Sequence, residues 1–103
     1  MKTFKTWAGR SSFSYSGSVE TGTKIQYGSG YTIVLSKEDY EKIRAKFKGK
    51  KVKCGTSRDK PPVGSLGSWL QTHITKTATA SYVGAILVNE GYTSKEGSSI
   101  IFD

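Results

Sequence analysis

The sequence predicts an α+β domain built from three helices and a small antiparallel sheet. Three observations lead there. Phe13, Tyr15 and, past Gly17, Val19 alternate with small polar residues, the period of a half-buried strand. After Ser36, the residues Tyr40, Ile43 and Phe47 recur at helical spacing behind a capping signal. From Ser65 onward two further helical patterns precede a closing apolar run, Ile100-Ile101-Phe102. A chain of 103 residues is the size of one domain.

Taken in order, Phe13, Tyr15 and, past Gly17, Val19 form the first strand pattern. Thr21-Gly22 is a turn, and Lys24–Tyr27 is a second strand. The first twelve residues fit either an added strand or a mobile arm. Tyr31–Leu35 is a β-branched run ending at Ser36, a helix N-cap with Asp39 at the third helical position, and Leu35 and Tyr40 are placed as a hydrophobic staple. A helix over 37–48 follows, with Glu38, Asp39 and Glu41 in its first turn and Arg44, Lys46 and Lys48 in its last, matching the helix dipole. Gly49 closes it. Lys51–Cys54 alternates charged and apolar residues as a short strand. Residues 55–64 are a loop, since Pro61-Pro62 continues neither a helix nor a central strand. Ser65 caps a helix with Leu66, Trp69, Leu70 and Ile74 on one face. Thr77 or Thr79 caps a third, with Tyr82, Val83, Ile86 and Leu87 apolar and Gly91 as its stop. A polar turn around Glu96-Gly97 leads to the last strand.

From residue 37 the order is helix, strand, helix, helix, hairpin. That order resembles the winged helix-turn-helix, with residues 92–98 as the wing. The division expected is therefore residues 1–30 as strands or an arm and residues 31–103 as a winged-helix-like unit, within one compact domain. The resemblance is one of topology and pattern, and it implies DNA binding. The helix in the recognition position carries no Arg, Lys or Gln, and its long polar residues, Asn89 and Glu90, lie at its C-terminal end. Base edges are ordinarily read from the N-terminal part of such a helix.

The charge is localised. The total is +8, of which residues 1–30 carry +3, residues 31–63 carry +6 and residues 64–103 carry −1. Nine bases fall within nineteen positions, Lys42 to Lys60, interrupted by Asp59 alone. Such a patch is a candidate site for a polyanion. Lys42, Lys46, Lys48 and Lys50 are expected to lie along the helix and just beyond it. Lys51 and Lys53 share one face of the strand, and Arg58 and Lys60 sit in the loop. Thr77, Thr79 and Ser81 at the start of the third helix, and Lys95 in the wing, are the residues placed to position a groove contact. The reading is of a nucleic-acid-binding protein that docks on the phosphate backbone of double-stranded DNA with modest sequence selectivity. A small regulator or accessory protein of a phage or mobile element has this size and character.

Other readings of the same residues stand beside it. A solvated lysine face would show the same charge, and a protein-interaction module would turn it toward an acidic partner. The Gly55–Lys60 segment has the small residues and hydroxyls to hold a phosphate, without the P-loop spacing. Trp7, Phe13 and Tyr15 beside Lys5 and Arg10 would suit stacking on single strands, or the apolar face of a strand. His73 with Arg58 or a lysine is the sole pairing for a metal-independent ribonuclease. No catalytic residue, metal ligand set or cofactor is assigned. One cysteine, Cys54, excludes an intramolecular disulfide and, with one histidine, argues against a Cys/His metal site. Met1–Lys5 has a basic start without an apolar run behind it, so a signal peptide is not expected and the cytoplasm is the compartment anticipated.

Overall fold

The computed structural model of the chain describes residues 3–57 and 59–103. Its first half is an antiparallel meander of β1 (Thr3–Lys5), β2 (Ser12–Ser18), β3 (Gly22–Tyr27) and β4 (Tyr31–Ser36), in that spatial order. The register makes one rung of Phe4, Phe13, Tyr27 and Tyr31, and the next of Tyr15, Ile25 and Ile33. These side chains share a face, and Phe13 and Ile25 are buried on it. Thr3, Ser14, Gln26 and Thr32 form the rung between, on the opposite, polar face. Strand β4 pairs with β3 along its whole length, so the meander runs across position 30. Residues 3–5 are a strand rather than an arm, and Trp7 behind them is 6% exposed.

Helix α1 (Lys37–Phe47) starts where β4 ends. The capping box is complete: the Asp39 N–H donates to Ser36 Oγ at 3.1 Å, and the Ser36 N–H donates to Asp39 Oδ2 at 3.0 Å. Tyr40, Ile43 and Phe47 are buried, and Leu35 joins Tyr40 in the core. An exposed Lys37–Glu41 contact spans the first turns of α1 at 3.9 Å. Then come β5 (Lys51–Lys53), α2 (Leu66–His73), α3 (Ala80–Asn89), β6 (Thr93–Glu96) and β7 (Ser99–Phe102). The second sheet is antiparallel with order β5-β7-β6. Val52 and Ile100 pair on its inner face, and Phe102 stacks on Phe47 at 5.2 Å. Among the described residues this is a compact α+β fold with three helices and two antiparallel sheets.

The third helix lies between the two sheets. Val83, Gly84, Ile86 and Leu87 are buried, and Tyr82 reaches the meander, 5.3 Å from Phe13 and 4.8 Å from Tyr27 between ring centres. The Trp7 N–H donates to the Ser81 carbonyl. A Cβ at Gly84 would come within 2.9 Å of both the Trp7 ring and Cys54 Sγ, so only glycine admits the indole here. At the far end Glu90 ties strand to helix: Oε1 accepts the Val19 N–H at 2.9 Å and Oε2 accepts the Tyr15 hydroxyl at 2.8 Å.

Candidate nucleic-acid interface

Lys42, Lys46, Lys48, Lys50, Lys51, Lys53 and Lys60 are all exposed. Helical spacing divides those of α1: Lys42 and Lys46 lie four apart on one flank of the buried stripe, and Arg44 and Lys48 on the other. Arg44 is committed to a neighbour, its guanidinium lying 4.3 Å over the Tyr92 ring. Lys46 borders a shallow groove between α1 and α2 with Trp69 and His73. Gly49 turns the chain, and Lys50 leads into β5, whose outward residues are Lys51 and Lys53.

The strand charge is partly compensated, which the sequence pattern did not indicate. Lys51 Nζ lies 2.7 Å from Glu96 Oε1 across the β5-β7-β6 sheet, and Lys53 donates to Ser98 Oγ at 3.2 Å. The Lys51 ammonium holds the Glu96 carboxyl below its ordinary range. Among the described residues no carboxylate comes within ion-pair distance of Lys42, Lys46, Lys48, Lys50, Lys53 or Lys60. Arg58 lies outside the described residues. In the same loop Ser57 Oγ accepts the Lys60 N–H at 3.1 Å, so that hydroxyl is already engaged within the loop.

The residues expected to position a groove contact separate. Thr79 is 1% exposed, so it presents no atom to an outside ligand; it is the residue before α3 and makes no side-chain cap. Lys95 is exposed but its ammonium is engaged: it donates to the Trp7 carbonyl and lies 4.9 Å from the Trp7 ring centre. Thr77 is exposed and Ser81 half-buried. Both line a groove of about 930 Å³ between the Thr6–Ser11 turn, the Tyr27–Tyr31 edge of the meander and the start of α3.

Among the described residues Arg10 and Lys76 are the bases that line that groove, and none of its lining is acidic. Tyr31 is 62% exposed there and stacks on Tyr27 at 5.5 Å, and Tyr27 in turn meets Tyr82. No motif in the sequence marks Tyr27, Tyr31 or Lys76 as site residues, and Arg10 enters there only beside Trp7, Phe13 and Tyr15. Only the strand register and the α2–α3 turn bring them together, and the one signal available was an apolar strand whose first residue, Tyr31, falls at a sheet edge.

The remaining candidates have structural occupations. Phe13 and Tyr15 face the core with Phe4, and Trp7 is buried, so none of the three offers a ring to an exposed base. Trp69 is half-buried rather than central, edge-on to Phe47, and His73 stacks on it at 4.9 Å. His73 Nδ1 is 3.2 Å from the Trp69 carbonyl. Cys54 is buried, and burial pushes its thiol up to about 12, against a smaller opposing pull from Lys95. Among the described residues no cluster of His, Cys, Asp and Glu is arranged to hold a metal ion, and no helix is long and apolar enough to cross a membrane.

Comparison with known proteins finds no matching family model, no matching curated protein and no matching solved structure.

Proposed function

We propose that this protein binds nucleic acid, with double-stranded DNA as its main target, by docking a lysine face on the phosphate backbone. The observation that carries the reading is the set of exposed lysines at the end of α1 and beyond it, Lys46, Lys48, Lys50, Lys53 and Lys60, that have no carboxylate partner among the described residues. Like charges held together in a folded domain repel one another, and a phosphate backbone relieves that repulsion while releasing its counterions. Lys42 extends the face along the helix, and Lys51 contributes once its pairing with Glu96 is exchanged for a phosphate. The reading is of a small regulator or accessory protein.

The element order of residues 37–102, with the sheet order β5-β7-β6, supports a winged helix-turn-helix assignment. The helix that would enter the major groove is covered by the meander, through Trp7, Phe13, Tyr15 and Tyr27. That cover accounts for the apolar character of α3 ahead of Asn89, and it leaves little means of direct base readout. Binding on this reading is set by charge more than by sequence.

Fluorescence anisotropy with labelled duplex DNA, single-stranded DNA and RNA across a salt series tests it. Duplex binding should weaken steeply between about 50 and 200 mM salt, with a slope of about −0.9 per phosphate neutralised. The K46Q/K48Q/K50Q/K53Q variant should flatten that slope by about one per lysine that contacts a phosphate. Equal affinity and slope for wild type and variant would sink the proposal. So would an absence of binding at about 50 mM salt, which would favour an acidic protein partner instead.

A further inference from the structure

We infer that the groove between Arg10, Tyr31 and Lys76 is a second site, one that holds an unpaired segment of nucleic acid. Among the described residues Arg10 and Lys76 are the charged residues of the groove and no acid lines it, so its field favours an anion. Tyr31 supplies a ring for a base. It ends the rung Phe4–Phe13–Tyr27–Tyr31, and its inner neighbours are fixed by packing while it is 62% exposed. Stacked on Tyr27 at 5.5 Å with an interplanar angle of 22°, it is held without being covered. A ring so supported is pre-organised to stack a base on its open face, which duplex bases, already stacked on one another, cannot supply.

The groove's remaining lining suits the sugar-phosphate strand. Thr56 and Thr77 are exposed hydroxyl residues on its walls, and Ser81 stands in the first turn of α3. At about 930 Å³ the groove is at the upper end of the range of small-molecule sites and is open, as a strand passing through requires. None of its residues belongs to the lysine face, so the two surfaces stand or fall separately.

The test is anisotropy with a labelled oligothymidylate of about ten nucleotides, alongside a duplex of the same length. Tyr31→Ala should weaken single-strand binding about 5- to 100-fold, while Tyr31→Phe should stay within about twofold of wild type. The R10A/K76A variant should also weaken it and lower the salt slope by about 1.4, the contribution of two single-strand phosphates. All three changes are at exposed positions, and an unchanged melting temperature verifies folding. Single-strand affinity indifferent to both Tyr31→Ala and R10A/K76A would overturn the inference. It would equally be overturned if Tyr31→Ala weakened duplex and single strand alike, or if thymidine monophosphate competed as tightly as the oligonucleotide. A wild type that binds the single strand through Tyr31 and ignores the duplex would support this site and refute the lysine face.

Discussion

Gly67 lies in the first turn of α2, where helix propensity alone favours alanine by up to about 1 kcal/mol. The structure predicts the opposite sign for Gly67→Ala. A Cβ at this position would overlap the Gly55 carbonyl oxygen and stand 2.8 Å from its carbonyl carbon. Backbone cannot rotate aside as a side chain can, so the helix start must move away from the β5 exit. That movement breaks the Gly67 N–H to Cys54 carbonyl bond, now 2.8 Å, worth about 0.5–1.5 kcal/mol. Overpacking of a close contact adds about 1–3 kcal/mol. Set against the propensity gain, the net loss is about 2 kcal/mol. For a domain of this length that lowers the melting temperature by about 10 °C. Thermal unfolding followed by circular dichroism reads it directly. An unchanged or raised melting temperature would mean that α2 does not lie backbone to backbone against the β5 exit, and the path of the 55–64 loop, with Lys60 on it, would need redrawing.

Two further outcomes follow from the interior. Glu90→Ala leaves the buried Val19 N–H without its acceptor and should cost about 1–3 kcal/mol in urea unfolding, whereas Glu90→Gln keeps an oxygen for Val19 and should cost less than half of that; equal losses would refute the clamp. Cys54 should resist an alkylating reagent at neutral pH and react only in denaturant, because its thiol is raised by burial from 9.0 to about 12; native-state labelling within about tenfold of the denatured rate would contradict this. The same shift sets a direction with pH. The folded thiol keeps its proton where the unfolded one has lost it, so its contribution to stability is whole below about pH 9 and is lost as pH rises toward 12. Replacing Cys54 by Ala should flatten that part of the alkaline unfolding curve.

Local signals made much of the fold legible. The Ser36/Asp39 capping box, the 40-43-47 stripe, the Pro61-Pro62 break and Gly91 act over a few residues, and each marks an element boundary through backbone chemistry that needs no distant partner. The net charge and its concentration between Lys42 and Lys60 are likewise written in the chain. Which of those charges remain unpaired is not, because Glu96 reaches Lys51 only after β7 has come between their strands. Lys95 reads as an exposed wing residue and is one, but its ammonium is tied to Trp7 by a contact spanning 88 positions. Thr79 reads as a surface cap and is buried. The covering of α3 by the meander, and the meeting of Arg10, Tyr31 and Lys76 in one groove, depend on strand register and on how a sheet packs over a helix. Elements are fixed by interactions between near neighbours, which periodicity records. Sites are fixed by which elements meet, and that is settled by burial of apolar surface summed over the whole chain.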